Sequence, residues 1–184
     1  GEDEVEPDMR RASKAINFGL IYGKGAFSLA KDLKITRAEA SEYIEKYLGS
    51  YPNVKKYMTE VINEAKDKGY TQTLYGRRRY FPEFSQKNKM LIAAGERAAL
   101  NSPIQGTAAD IIKIAMIKVY NELKKSGLKS KLVLQIHDEL IIDCCPEERA
   151  QIEALLVSSM ENAVNIKAPL TVSLGEGKNL DECK

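Results

Sequence analysis

The sequence is poor in cysteine and has no long apolar run. Its three cysteines, Cys144, Cys145 and Cys183, form neither a disulfide framework nor a C-x-x-C metal pattern, which excludes a small disulfide-bonded secreted domain. No apolar segment approaches the length that crosses a bilayer, and the acidic N-terminus is unlike a signal peptide. Internal repeats and low-complexity tracts are also absent. We therefore expect a soluble, unsecreted protein with no membrane partner.

The charge is unevenly distributed along the chain. Residues 1–9 form an acidic lead-in with five acids and no base, whereas the remainder holds 28 bases and 21 acids, a net charge of +7. This excess is compatible with a polyanionic partner, although many ordinary proteins are equally basic. The 184 residues, 43% of them hydrophobic, can form one substantial domain or two small lobes.

Apolar periodicity predicts an α+β chain in which helices fill the first two thirds and strands come late. Thr36 to Glu39 form a capping box that begins one helix. Ser102 and Pro103 are expected to separate two others. Helices are predicted over about 9–22, 36–48, 52–68, 87–100, 105–126 and 146–164, and strands over 71–74, 79–81, 132–136, 140–144 and 170–174.

The late hairpin carries unusual residues at its tip. His137, the only histidine, stands beside Asp138 and Glu139 between two apolar runs. Adjacent carboxylates on rigid strands suit a hard cation such as Mg²⁺, which takes oxygen ligands from one or two side chains. A solvated polar turn, with Asp138 as an ordinary turn former, is the alternative.

A second group lies on the first predicted helix. Arg10, Lys14, Phe18 and Tyr22 are four residues apart, which advances about 40° around a helix per step and places all four on one stripe. The stripe has cations at one end and aromatic rings at the other. A nucleoside triphosphate has the matching division, with anionic phosphates at one end and a flat base at the other. The alternative is an amphipathic helix whose Phe18 and Tyr22 are core residues.

Arg97, Asn101 and Gln105 form the third group, again at intervals of four. Such side chains can project from one side of a helix and hydrogen-bond to base edges and sugars. The small residues that follow, Gly106 to Ala109, admit close approach of another element, although helix packing explains them equally well.

Together, and in this order, these stretches resemble the polymerase domain of the bacterial DNA polymerase I family, the family A DNA polymerases. Residues 10–23 (RRASKAINFGLIYG) resemble motif B, the fingers helix, and residues 135–140 (QIHDEL) resemble motif C, the palm hairpin. Residues 73–80 (TLYGRRRY) and 104–110 (IQGTAAD) are likewise similar to that family. The resemblance covers nearly the whole chain from Val5.

The resemblance implies residues 10–95 as a fingers subdomain and residues 96–184 as a partial palm of a right-hand polymerase. It implies template-directed transfer of nucleotides from dNTPs to a primer 3′ end, in DNA replication and repair, in the cytoplasm in association with the nucleoid. Primer-template DNA and dNTPs would be the partners, and two Mg²⁺ ions the cofactor of the complete enzyme.

Roles for individual residues follow from the same resemblance. Catalysis would involve Asp138, Glu139 and Lys14, with Asp138 and Glu139 at the metal. The dNTP would be bound by Arg10, Lys14, Phe18, Tyr22 and His137. The primer-template would be contacted by Arg97, Asn101, Gln105, Tyr22 and His137.

The chain departs from the family pattern in three places. Motif A, an Asp-Tyr-Ser-type palm strand with a second metal ligand, normally precedes motif B by several tens of residues, but only nine residues precede Arg10. We therefore expect a truncated product or partial gene, missing upstream palm and thumb segments and inactive alone. Ile92 stands where the family commonly has arginine, and Leu180 where it usually has tryptophan.

Two other functions are compatible with the same residues. A non-catalytic nucleic-acid-binding module could keep this fold, although DNA binding alone does not require Asp138. A metal-dependent nuclease could use Asp138 and Glu139, but the sequence offers no further cluster of metal ligands. A nuclease would also leave the stripe from Arg10 to Tyr22 unexplained.

Overall fold

The computed structural model describes residues 6–183, so residues 1–5 of the acidic lead-in and residue 184 lie outside the described residues. The chain divides into two compact units, Gly1–Gly106 and Thr107–Lys184, which we describe separately. The α+β prediction is confirmed, because helices dominate and the strands form two antiparallel hairpins. In the described part of the chain, no helix combines the length and apolarity needed to cross a membrane.

Most helices and strands follow the predicted order, but the helix Ala26–Leu33 was not predicted. The helices are α1 (Pro7–Ile21), α2 (Ala26–Leu33), α3 (Arg37–Ser50), α4 (Pro52–Lys68), α5 (Lys89–Lys125) and α6 (Arg149–Glu161). The strands are β1 (Tyr70–Gln72), β2 (Arg78–Tyr80), β3 (Lys131–Ile136) and β4 (Glu139–Asp143). Short 3₁₀ turns cover Pro82–Ser85 and Pro146–Glu148.

In the first unit, α1 to α3 enclose a small apolar cluster. Leu29, Ala30 and Ala40 are buried, and Ile16 of α1 packs against them. The predicted capping box at the start of α3 is confirmed. The Thr36 N–H donates to the Glu39 carboxylate over 2.8 Å, and the Glu39 N–H donates to the Thr36 hydroxyl over 3.2 Å.

The β1–β2 hairpin follows α4 directly. Helix α4 ends at Lys68, the predicted bound, and is capped by Gly69, whose φ of 75° is unfavourable for residues with a Cβ. Thr71 pairs with Arg79 in the antiparallel ladder. Just after β2, Phe81 is buried with Ala65 and Ala99, and this cluster fixes the base of the hairpin.

Helix α5 contradicts the predicted break at Ser102 and Pro103. It runs unbroken from Lys89 to Lys125 with Pro103 inside it. An internal proline costs a helix about 3 kcal/mol. Leu100 and Ser102 beside it are buried, and the Ser102 hydroxyl donates to the Ala98 carbonyl over 2.5 Å. We attribute the continuity to this packing, which local sequence patterns do not report.

In the second unit, the β3–β4 hairpin packs on helices. Leu140 of β4 is buried with Val119 and Leu123 of α5 and Ile152 of α6. The predicted antiparallel pair is confirmed, with Ile136 opposite Glu139. The register shifts between Leu132 and Leu134, so the intervening Val133 forms a β-bulge that bends the strand.

Two further predictions in this unit need correction. The segment from Pro146 begins as a 3₁₀ turn, and α6 ends at Glu161 rather than near Val164. Leu170 to Leu174 form no strand. An isolated strand leaves its backbone unpaired, and here the Val172 N–H donates to the Glu161 carboxylate instead, over 3.1 Å.

Candidate active site

The stripe on α1 faces solvent. Arg10 and Lys14 are exposed, and Phe18 and Tyr22 keep 53% and 44% of their surface accessible. The apolar side of the helix is instead formed by Ile16 and Leu20. The alternative in which Phe18 and Tyr22 are core residues is therefore wrong, and these rings are available to a ligand.

Two members of the stripe already interact. The Lys14 ammonium lies 5.8 Å from the centre of the Phe18 ring, within the range of a cation–π contact. The charge therefore lies beside the aromatic surface. A ligand with an anionic group next to a sugar and a base can contact both side chains at once.

Tyr22 is connected to the third group of residues. The Gln105 side-chain amide donates to the Tyr22 hydroxyl over 2.6 Å. Tyr22 is the C-terminal cap of α1, and its own N–H donates to the Phe18 carbonyl. The bond joins residues that are 83 positions apart, and no pattern in the sequence indicated it.

The turn after α1 is packed closely against α5. Gly23 has a φ of 67°, and a Cβ there would lie 2.7 Å from Arg97 Cγ and 3.4 Å from Arg97 Cα. Only glycine is compatible with both the backbone angle and this contact. The packing fixes the position of Arg97 relative to the end of the stripe.

Arg97, Asn101 and Gln105 occupy a single helix because α5 is continuous. Arg97 and Gln105 are exposed, whereas only 8% of the Asn101 surface is accessible. Ile92, where the family commonly has arginine, is half-buried on the same helix. The surface that this part of α5 offers to a ligand therefore comes mainly from Arg97 and Gln105.

In the second unit, the β3–β4 tip is a tight turn of His137 and Asp138. His137 has a φ of 52°, in the left-handed region that non-glycine residues rarely adopt. The Gln135 amide donates to the His137 carbonyl over 2.5 Å and braces the turn. His137, Asp138 and Glu139 are all exposed, so the imidazole and both carboxylates are accessible.

Glu148 braces the other end of the same hairpin, a role that no local pattern indicated. Its carboxylate accepts from the Lys129 N–H over 2.8 Å and from the Ser130 N–H and hydroxyl over 2.9 and 2.6 Å. The Lys129 N–H, followed by the Ser130 groups, lowers the pKa of Glu148. The Ser130 hydroxyl also accepts from the Cys145 N–H. This network connects the start of β3 to the segment after β4.

Asp138 and Glu139 supply accessible carboxylate oxygens, the donor type that Mg²⁺ takes in proteins. Mg²⁺ takes one or two carboxylates and completes its octahedral shell with water and phosphate oxygens. Within residues 6–183, no three or more His, Cys, Asp or Glu side chains are grouped so as to hold a metal.

Comparison with known proteins identifies relatives of this chain. The model of the family described as DNA polymerase family A matches residues 1–182. DNA polymerase I of Caldicellulosiruptor bescii is 48% identical over 181 residues, which is 98% of this chain and 21% of that protein. DNA polymerase I of Bacillus caldotenax is 47% identical over 183 residues, 100% of this chain and 21% of that protein. The chain thus spans about a fifth of these curated relatives.

A solved structure agrees with the sequence comparison. It is described as the POL domain of Pol1 from M. smegmatis in complex with DNA primer-template and dNTP. It matches with a TM-score of 0.93 and 45% identity, covering 98% of this chain and 32% of that one. Since the family model spans almost every residue and the fold agrees, the chain belongs to DNA polymerase family A.

Proposed function

We propose that the polypeptide containing these residues carries out template-directed DNA synthesis, by nucleotidyl transfer from a dNTP to a primer 3′ end. The observation that carries this proposal is the solvent-facing stripe of α1, which ends at the Tyr22 to Gln105 hydrogen bond. The M. smegmatis relative in the solved structure is described with primer-template and dNTP.

The incoming dNTP would lie along the stripe. Arg10 and Lys14 would bind the triphosphate, since both are exposed cations four residues apart on one helix. Phe18 would pack on the sugar and base, and Tyr22 would lie where the template base enters. His137 would contact the primer end or the phosphates, and its position in a braced turn supports such a fixed contact.

The β3–β4 tip would hold the metal. Asp138 and Glu139 are accessible oxygen donors on a paired hairpin. Mg²⁺ bound there would stabilise negative charge on the attacking 3′-oxygen and on the departing pyrophosphate. The role of the chain is to keep these carboxylates in one geometry, which the Gln135 and Glu148 hydrogen bonds support at the two ends of the hairpin.

The primer-template duplex would contact α5. Arg97 and Gln105 are exposed, and minor-groove acceptors are similar for every correct base pair, so such contacts check geometry without reading sequence. Asn101 would join them when its side chain becomes accessible. The same proposal assigns residues 10–95 to fingers and 96–184 to a partial palm, and includes a role in replication and repair at the nucleoid.

We also propose that these 184 residues alone do not extend a primer, because no Asp-Tyr-Ser motif accompanies Asp138 within them. The test is Mg²⁺-dependent primer extension by the 184 residues and by a polypeptide that joins them to a family A upstream palm and thumb. We expect extension from the longer polypeptide only. Primer binding without extension by the longer polypeptide would favour the non-catalytic module.

Lys14 offers a sharper version of that test. In the longer polypeptide, Lys14→Gln should reduce extension at subsaturating dNTP by roughly tenfold or more, because an ion pair with phosphate is removed. Lys31→Gln on α2 removes an exposed lysine outside the stripe and should leave extension unchanged. Equal rates for the two variants would contradict the proposed nucleotide site.

A further inference from the structure

We propose that the β1–β2 hairpin is a separate binding surface for single-stranded nucleic acid. The surface is its outer face, which we define as Tyr70, Gln72, Arg78 and Tyr80. None of these residues belongs to the stripe, to the α5 contacts or to the β3–β4 tip. The partner is a nucleic acid in both proposals. The residues of this surface, however, take no part in the proposed polymerase site.

Strand alternation separates the two faces of the hairpin. Tyr70 pairs with Tyr80 and Gln72 with Arg78, whereas Thr71 pairs with Arg79 between them. Thr71 is buried, and the Arg79 guanidinium donates to the Ser102 hydroxyl of α5 over 3.0 Å. Thr71 and Arg79 therefore attach the hairpin to the unit, and the outer face points away from that attachment.

The outer face is a continuous aromatic and cationic surface. The Tyr70 and Tyr80 ring centres are 5.5 Å apart, and the Arg78 guanidinium lies 4.6 Å from the Tyr70 ring centre. Tyr80 is 65% accessible, and Arg78 is exposed as well. An exposed ring beside a guanidinium offers one ligand both a stacking surface and hydrogen-bond donors.

The charge of the outer face favours an anionic partner. Its four residues include one cation, Arg78, and no acid. Among residues 6–183, no carboxylate forms an ion pair with Arg78, whose contact is with the Tyr70 ring. An arginine that lies over a ring keeps N–H donors that can bind a phosphate.

The tip of the hairpin is held rigid by its own hydrogen bonds. The Thr73 hydroxyl accepts from the Tyr75 and Arg77 N–H groups over 3.2 and 3.1 Å. The Gln72 amide donates to the Gly76 carbonyl over 3.3 Å. A surface that is ordered before binding loses less conformational entropy when a ligand is bound.

A single strand fits this surface better than a duplex does. Unpaired bases present flat faces that stack on exposed aromatic side chains, while the phosphates between them bind neighbouring cations. Base faces in a duplex are already stacked on one another. Exposed Tyr80 and Arg78, beside the half-buried Tyr70 ring, thus match a strand whose bases are free, such as an unpaired stretch of a nucleic acid.

Binding of fluorescently labelled oligonucleotides to the 184-residue chain tests this inference. The probes are a thymidine oligonucleotide of about 16 nucleotides and a duplex of the same length. The variant is Arg78→Gln with Tyr80→Ser. Its matched control, Arg37→Gln with Tyr43→Ser, makes the same changes at two exposed positions on α3.

We expect the hairpin variant to bind the single strand roughly ten- to one-hundred-fold more weakly than the control. The slope of log Kd against log salt should fall by about 0.7, since one phosphate contact is lost. Arg78→Lys should retain that slope, and thermal melting should show that each variant is folded. Duplex affinity should change little.

Three results would overturn the inference: equal single-strand affinities for the hairpin variant and its control, no single-strand binding by the unsubstituted chain, or an equal loss for the duplex. None of them concerns the proposed polymerase activity, which is measured by primer extension and depends on Lys14 and Asp138. Failure of primer extension, in turn, would leave the oligonucleotide result intact.

Discussion

The Gln105 amide donates a hydrogen bond of 2.6 Å to the Tyr22 hydroxyl and so connects the end of α1 with α5. Tyr22 is a proposed template-side residue and Gln105 a proposed duplex contact. The pair therefore connects the helix that would bind the nucleotide to the helix that would contact the primer-template, entirely within the first unit.

This pair should show a measurable coupling energy. A double-mutant cycle of Tyr22→Phe and Gln105→Ala, followed by urea unfolding, should give about 0.5–1 kcal/mol, the usual net value of one such hydrogen bond. Tyr43→Phe replaces the first substitution in the control cycle, because Tyr43 is exposed on α3. If the coupling energy from the Tyr22 cycle equals that from the control cycle, the hydrogen bond is contradicted.

Gly23 and Gly49 should respond to alanine in opposite directions. Gly23→Ala introduces a Cβ at a φ of 67° and within 2.7 Å of Arg97 Cγ, so we expect a loss of about 1–2 kcal/mol. Gly49 lies inside α3, and a Cβ there would meet open space. Gly49→Ala should therefore gain about 0.5–1 kcal/mol, because alanine favours the helix. Urea unfolding measures both, and a loss at both positions would refute the stated cause.

Glu148 should make stability dependent on acid pH. Hydrogen bonds from Lys129 and Ser130 lower its pKa below the ordinary 4.5, so the stabilisation is present above 4.5 and is lost as pH falls through the folded value. Glu148→Gln should therefore lower the free energy of unfolding at pH 7, and the difference from the unsubstituted chain should shrink as the pH falls. Urea unfolding as a function of pH measures this effect.

Glu147→Gln is the matched control for that experiment, since it removes the same charge at the exposed neighbouring position and leaves the Glu148 bonds to Lys129 and Ser130 in place. A deficit for Glu148→Gln that stays constant from neutral to strongly acid pH would show that packing, rather than the carboxylate, connects the two segments.

Phe18 should determine how the complete polymerase treats dideoxynucleotides. The family resemblance assigns phenylalanine at this position to discrimination against them, so Phe18→Tyr should relax that discrimination. Phe27→Tyr, at an exposed phenylalanine on α2, is the control. Extension assays with mixed dNTP and ddNTP measure the ratio, and an unchanged ratio for Phe18→Tyr would count against the assignment.

Local signals were sufficient for much of the fold. The Thr36 to Glu39 capping box and Gly69 act within one turn of the chain, so their neighbours in sequence predict them. The β3–β4 hairpin follows from two apolar runs around a polar pair. The stripe of α1 was predicted in spacing, although its exposure needed the structure.

The remaining features depend on distant parts of the chain. Pro103 is tolerated because residues around it are buried, and Leu170 to Leu174 lack a partner strand among the described residues. The bonds of Gln105 to Tyr22 and of Glu148 to Ser130 span 83 and 18 positions. Periodicity and capping patterns extend over a few residues and contain no information about such contacts.

The most direct test of the proposed function is primer extension by the longer polypeptide with Asp138→Asn, compared with Asp143→Asn. Both substitutions neutralise an exposed aspartate of the β3–β4 hairpin, but only Asp138 lies at the tip. We predict that Asp138→Asn abolishes Mg²⁺-dependent extension while primer binding persists, and that Asp143→Asn extends normally. Normal extension by Asp138→Asn would contradict the metal-binding role of Asp138 and with it the proposed active site.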